Sequence, residues 1–488
     1  MRTGKDYISG IEDKRRIYLD GKLVENLSRH PAFKGIVRTI ARLYDFSFAE
    51  ENMMTFKTEW GPVGNKVFLI PRKREELTER HDAIYKWASL THGFVGRSPD
   101  HVGGFLAGFA SNPGLFSKGE TNFGENVSNF YRKVVTEDLY VTYAIIPPQI
   151  DRSKTAHEQE NRYSQVGVIS KDESGIVVRG AQMLATGAAI SDFIFVSCIP
   201  PLRPGDEDYA LSFVLPVDTP GLKLYCRRPF ATDKPSTADY PLSTQFDESD
   251  AFLVFDDVFV PWKYVFVFRN VQMVQSQFFM TPAHVLGNNQ AQIRLSAKLK
   301  FIIGVARKVS MMNGIDKIPS VVEKLGELAT LSSIVEGMVL ASESKAISWE
   351  NGTITPNPRF LYGAMGLQSE LYPRVLHLLR DLCGAGVLQL PSSYMDFISP
   401  ETGKDIEMYI KSPGNSSEDR IKLFKLAWDL VGTEFAGRHY QYEMFYAGAP
   451  FVAKNYSFRN YGYEEPVSIV DKFLSEYSMD GNIPEGEK

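Results

Sequence analysis

Arg97, Asp100 and His101 stand within five residues of one another in the run LTHGFVGRSPDHVGGFLAGFASN, Leu90 to Asn112. A guanidinium, a carboxylate and an imidazole set against glycine, alanine and phenylalanine suit a flat, partly charged ligand. The same residues also describe an ordinary helix start, with Ser98 or Asp100 as the cap and Pro99 in the first turn. What the rest of the chain places around them separates the two.

That surrounding structure is large. The chain has 488 residues, 43% hydrophobic and 23% charged, as in a globular protein of two or three domains. Its 54 basic and 59 acidic side chains leave a net charge of −5 with no run of like charge, which argues against nucleic acid and membrane surfaces as partners. The 23 Tyr, 32 Phe and 5 Trp supply core and, where exposed to a cleft, walls for a planar ligand. Cys198, Cys226 and Cys383 are far apart without CxxC spacing, so no disulfide and no metal site is expected. A charged N-terminus, no apolar run of membrane-span length and few cysteines predict a soluble, cytoplasmic protein.

Apolar spacing predicts a mainly helical region over 1–146, with an early hairpin turned by Asp20-Gly21 and a long helix from Gly124 to the Pro147-Pro148 break. Short β-rich runs over 147–265 predict a small antiparallel barrel or sandwich. Four long helical patterns over 266–488 predict an antiparallel four-helix bundle: HVLGNNQAQIR onward, SVVEK onward to Asn351-Gly352, SELYPRVLHLLRDLCG, and EDRIKLF onward to FYAG. A polar tail follows, expected to wrap a neighbour or fray. The fold class is therefore α+β. No GxGxxG follows a strand and no GxxxxGK[ST] occurs, which disfavours a Rossmann nicotinamide site and a P-loop. The order of helices, β domain and helices is that of the acyl-CoA dehydrogenase-like flavoproteins, where a flavin lies between β domain and bundle.

Four segments make that analogy specific: GRSPDHV (96–102), PPQIDRS (147–153), GAQMLATGAAISDFIFV (180–196) and FAGRHYQYEMFYAG (435–448). Together, and over nearly the whole chain, they resemble the large component of 4-hydroxyphenylacetate 3-monooxygenase, the HpaB family of two-component aromatic hydroxylases, which includes chlorophenol monooxygenases. The resemblance implies FAD, used as FADH2 delivered by a separate NAD(P)H:flavin reductase, and O2. It implies ortho hydroxylation of a phenolic substrate, free or tethered, through a C4a-hydroperoxyflavin, and a homotetramer. A chain supplied with reduced flavin in trans needs no Rossmann motif.

Position by position, the resemblance makes Arg97 the cation at the substrate phenol. His101 falls where the 4-hydroxyphenylacetate enzymes carry a substrate-binding Tyr, and Tyr143 where they carry a His. This exchange puts 4-hydroxyphenylacetate itself in doubt as substrate. His101 or His284 is then the base, with Tyr143 as hydrogen-bond partner; His284 matches a catalytic His of the chlorophenol branch and reads equally as a helix-start histidine. Gln149, Ile150, Asp151, Arg152 and Thr186, with Tyr143, are implied to bind flavin. Arg438 and the Tyr446-Ala447-Gly448 turn close that site, and Ser197 and Cys198 border the substrate. Rival readings are a halophenol monooxygenase that releases halide, a tightly flavin-bound acyl-CoA dehydrogenase-like enzyme, a non-catalytic binding protein, and a 4-hydroxybutyryl-CoA dehydratase. The dehydratase would need cysteine ligands beside His284, and Ala291 stands where one would be.

Overall fold

Helices dominate as far as Glu137, and the Pro99–Ser111 helix is the one that carries the opening cluster. Pro99 occupies its first turn, but Ser98 makes no capping bond; its hydroxyl donates to Asp100 Oδ1 at 2.5 Å instead. This helix is buried almost throughout and lies against the Ala283–Met312 helix. Glycine permits the approach: a Cβ at Gly108 would come within 2.2 Å of Ala283 Cα, and one at Gly104 within 3.0 Å of the Leu286 carbonyl. The computed structural model from which this is taken describes residues 1–117, 122–230, 236–477 and 479.

Two sheets make the β region. One runs Lys22–Leu23, Ile17–Leu19, Leu222–Cys226, Asp250–Pro261, Gly175–Thr186, Gly167–Lys171 in spatial order; the other runs Val265–Phe268, Leu211–Pro216, Phe193–Val196, Val141–Ala144. Pairing is antiparallel except at two places. Ile17–Leu19 lies parallel to Leu222–Cys226, and Val141–Ala144 lies parallel to Phe193–Val196. Both exceptions bring strands from before residue 147 into the β region, so the expected purely antiparallel arrangement is corrected. The Asp20-Gly21 hairpin forms as expected, with φ of 50° and 74°. The long helix expected to reach Ile146 instead ends at Glu137, where Asp138 adopts φ 53° and stops it, freeing Val141–Ala144 to become a strand.

Helices Ala283–Met312, Pro319–Ser344, Pro358–Cys383 and Ser417–Val431 pack as the expected bundle. Three details differ from expectation. The second helix stops at Ser344, and Asn351-Gly352 instead turns a short hairpin of Ile347–Ser348 with Ile354–Thr355. The fourth pattern breaks at Gly432, and Thr433 caps a separate helix, Glu434–Phe445. The tail forms two further helices, Pro450–Arg459 and Glu464–Ser475. Against the sequence expectation, one helix, Pro319–Ser344, is long and apolar enough by length and composition to cross a membrane. It is a bundle helix, tied to its neighbour by the Glu327–Arg374 ion pair at 2.6 Å.

Candidate active site

The start of the Pro99–Ser111 helix places Arg97 and His101 one turn apart, and their side chains meet: Arg97 Nη1 lies 2.8 Å from His101 Nε2. Arginine only donates, so His101 Nε2 accepts and carries no proton. Burial, with Arg97 adding to it, pushes the His101 pKa well below its ordinary value, so the ring is neutral and its proton sits on Nδ1. That Nδ1–H donates to Gln290 Oε1 at 3.0 Å. Arg97 is 6% exposed and His101 1%. The guanidinium lies 5.1 Å from the ring centres of both Tyr143 and Tyr442, and its Nη2 donates to the Tyr446 carbonyl at 3.1 Å. These bonds use two of the five N–H donors of the guanidinium, which leaves donors for an anionic oxygen.

A second network holds this one from behind. Glu248, 1% exposed, accepts from the Arg97 backbone N–H at 2.6 Å and from Arg438 Nη1 at 3.2 Å. Arg438 also donates to Asp250, which receives the Thr186 hydroxyl at 2.6 Å. The Tyr140 hydroxyl donates to the Arg97 carbonyl at 2.6 Å. Glu248 and Tyr140 therefore fix both ends of the Arg97 backbone, and His101 and the Tyr446 carbonyl fix its side chain.

The other expected residues are dispersed around this centre. Tyr143 stands in Val141–Ala144, its ring 5.6 Å from that of His101. Gln149, Ile150, Asp151 and Arg152 form an exposed or half-exposed loop that an isolated bridge, Ile146 to Met183, brings beside the strand ending in Thr186. Asp151 pairs with Lys154 at 3.7 Å and binds Ser153; Arg152 has no ion-pair partner among the described residues. Gly448, at φ 93°, ends the Tyr446 turn, and Ala447 packs on the Val285–Tyr362 cluster. Ser197 and Cys198 are buried in the β region: Gln277 donates to the Ser197 hydroxyl at 3.1 Å, and burial pushes the Cys198 thiol up to about 12. The structure records no bond from either to Arg97 or His101. His284 bonds the Tyr362 hydroxyl through Nδ1 at 2.9 Å inside an aromatic cage of Phe279, Tyr362 and Tyr456; burial pushes it down to about 3. It does not touch Arg97 directly.

Glu248, Gln290 and Tyr442 were not expected at the site. A signal for Gln290 exists: the Ala283–Met312 helix buries Asn288, Asn289, Gln290, Gln292, Arg294, Ser296 and Lys298 in succession, far more polarity than a core helix carries without a task. Clefts of about 330 and 360 Å³ lie elsewhere, between the Lys34–Phe48 helix and the Pro241–Phe246 region, and neither is lined by Arg97 or His101. A flavin fits the residues around Arg97. Among the described residues Arg152 has no ion-pair partner, and the buried Tyr442 hydroxyl and Gln292 Oε1 have no hydrogen-bond partner. The Thr186 hydroxyl, which donates to Asp250 and lies 3.5 Å from Arg438 Nη2, keeps a lone pair. Among the described residues no group of three or more His, Cys, Asp or Glu is placed to hold a metal.

Comparison with known proteins identifies the family. Residues 3–267 match the model of the 4-hydroxyphenylacetate 3-hydroxylase N-terminal region, and 274–475 that of its C-terminal region. The 4-hydroxyphenylacetate 3-monooxygenase oxygenase component of Thermus thermophilus is 34% identical over 97% of this chain and 98% of its own. A Streptomyces globisporus monooxygenase of a peptidyl-carrier-bound 3-chloro-4-hydroxyphenyl substrate is 34% identical over 91% and 85%. The crystal structure of HpaB complexed with FAD and 4-hydroxyphenylacetate superposes with a TM-score of 0.92 at 33% identity, over 98% and 99% of the two chains. An archaeal 4-hydroxybutyryl-CoA dehydratase at 21% identity, with a TM-score of 0.89 over 100% and 97% of the two chains, shares the fold. The chain belongs to the 4-hydroxyphenylacetate 3-hydroxylase family of FAD-dependent monooxygenase oxygenase components.

Proposed function

We propose that this protein takes reduced FAD from a separate reductase and, with O2, hydroxylates a phenolic substrate ortho to its hydroxyl. The observation that carries this is the Arg97–His101 contact: a cation and a neutral imidazole share one hydrogen bond in a buried, aromatic-walled position. A phenol oxygen at the Arg97 guanidinium is stabilised as it ionises, which enriches the ortho carbon. His101 Nε2, released from Arg97 by that oxygen, is the lone pair that accepts its proton. Tyr143 walls the ring. Reduced flavin, when bound, would supply the two electrons that activate O2, one oxygen atom of which enters the ring while the other leaves as water. Gln149, Ile150, Asp151 and Arg152 border the flavin, Thr186 bonds its ring, and Arg438 with Tyr446, Ala447 and Gly448 closes it in. Exclusion of water by these groups limits wasteful peroxide release.

The test is a panel of phenols, free and carrier-bound, incubated with chemically reduced FAD and O2 and read by mass. A hydroxylated product at a plus-16 mass supports the reading; peroxide alone with every phenol overturns it. Arg152→Ala is expected to weaken reduced-FAD binding roughly tenfold, the scale of one charged hydrogen bond, with melting unchanged. Anaerobic titration checks this.

The proposal includes a homotetramer. The Glu464–Ser475 helix buries none of its residues, and Val467, Ile469, Val470, Phe473 and Leu474 are each between 51% and 64% exposed. A face of that kind is covered in a stable assembly. Light scattering is expected to give four copies, and removal of the chain after Gly462 a smaller species. A monomer for the full chain would discard the assembly.

A further inference from the structure

We propose that Asp100 is a positioning residue: through Gln290, it fixes His101 as the tautomer whose Nε2 faces Arg97. The inference rests on the reading of Arg97 and His101 as the phenol site, and it concerns a residue that touches neither the substrate nor the flavin.

The chain of bonds runs in one direction. Asp100 is 1% exposed, and its Oδ1 accepts from Ser98 Oγ at 2.5 Å and from Gln290 Nε2 at 3.2 Å. Burial raises the Asp100 pKa to about 6, so at neutral pH the group is mostly a carboxylate, which can only accept, and the NH2 end of the Gln290 carboxamide must face it. Gln290 is 1% exposed and has no room to turn its other end to water. Its Oε1 therefore points to His101 Nδ1, 3.0 Å away, and demands a proton there. A neutral ring with its proton on Nδ1 has its lone pair on Nε2, where Arg97 Nη1 donates at 2.8 Å. Reverse the carboxamide and each later bond fails. An N–H would face Nδ1, the ring proton would move to Nε2, and that proton would meet the Arg97 N–H head on.

The arrangement also accounts for two polar groups that the local sequence assigns to capping. Ser98 and Asp100 look like helix caps, yet Ser98 makes no cap bond. Both are spent on Gln290, since Gln290 Nε2 also lies 3.4 Å from Ser98 Oγ. The positive charge of Arg80, itself held by Asn289 and the Leu286 carbonyl at 3.1 and 3.2 Å, favours the ionised form of Asp100 without bonding to it. The carboxylate is thus kept in place by Ser98 beside it and by Gln290 from the Ala283–Met312 helix.

The experiment reads the tautomer directly. Protein labelled with 15N in its imidazoles is compared with His101→Gln to assign the His101 signals. In the wild-type chain Nδ1 is expected to be the protonated nitrogen and Nε2 the bare one. Asp100→Asn offers Gln290 a donor as well as an acceptor, and Gln290→Leu removes the link while leaving Asp100 intact. Both are expected to mix or reverse the tautomers, to lower kcat for hydroxylation by at least about 10²-fold, and to leave reduced-FAD affinity unchanged. The double variant is expected to fall no further than either single one, because both cut the same chain. An Nε2–H tautomer in the wild type, or an unchanged tautomer in both variants, overturns the proposal. A shifted tautomer with unchanged turnover upholds the positioning chain and instead removes His101 from the phenol site.

Discussion

Arg97→Ala is expected to cut product formation by about 10² to 10³-fold, the loss seen when one preorganised group is taken from developing negative charge. Consumption of reduced FAD should continue, with its electrons leaving as hydrogen peroxide. The split matters, because Arg97 reaches its surroundings in two ways. Its side chain serves His101 and the Tyr446 carbonyl, while its backbone serves Glu248 and Tyr140. Alanine removes only the first. The Glu248 and Tyr140 bonds survive, so the helix start stays in place and flavin affinity is expected to hold. Rapid-quench measurement of product and peroxide from one turnover checks this. Product and peroxide in wild-type proportion would place the phenol away from this guanidinium.

Glu443→Gln should have the largest effect on stability, a loss of about 3–5 kcal/mol, because it strips the counter-charge from two buried cations. Glu443 is 1% exposed and accepts from Arg294 at 2.5 and 2.7 Å, from Lys298 at 2.8 Å and from Gln368 at 2.6 Å. Burial alone would raise its pKa, but Arg294 and Lys298 outweigh that and hold it at about 2. A carboxylate depressed in this way stabilises the fold above its unfolded value of about 4.3, and that support is lost as pH falls from there toward 2. Lys298 runs the other way. Burial pushes it down to about 8, so the unfolded chain holds the extra proton between about 8 and 10.4, and the penalty for burying Lys298 fades as pH rises through that window. The deficit of Glu443→Gln is therefore expected to be large at pH 7 and smaller above pH 9. Urea midpoints at the two pH values measure it; equal midpoints for variant and wild type at pH 7 would show that the cluster contributes nothing net.

The order of helices, sheets and bundle could be read from apolar spacing because each element hides one face, and that constraint is local. The Arg97–His101 pair was legible for the same reason: four residues apart at a helix start, they share a side. The helix wrongly extended to Ile146 shows the limit. Val134, Val135, Tyr140, Val141 and Tyr143 keep an apolar pattern across the stop, and only the left-handed backbone at Asp138 separates helix from strand. The partners that give the pair its chemistry were beyond local reading. Glu248 and Gln290 arrive from 151 and 189 residues further along the chain. The role of Gln290 depends on which way its carboxamide faces, a matter of tertiary hydrogen bonding rather than of spacing. The splitting of the last bundle pattern was readable, since Gly432 and Thr433 are a helix end and a helix cap in succession.

The strand Ile17–Leu19 lies edge to edge with Leu222–Cys226, Ile17 against Leu224. On the ribosome this means that the first β-strand to emerge finds Lys22–Leu23 on one side at once, but its other edge has no partner until roughly 200 more residues have been added. At about 5–20 residues per second that is about 10–40 s of synthesis, during which the hairpin's edge stays open. Slow translation upstream of Leu222 would lengthen the exposure, and a holdase chaperone would have its longest opportunity there. Yield in a cell should respond more to changes in this early hairpin than the finished fold suggests.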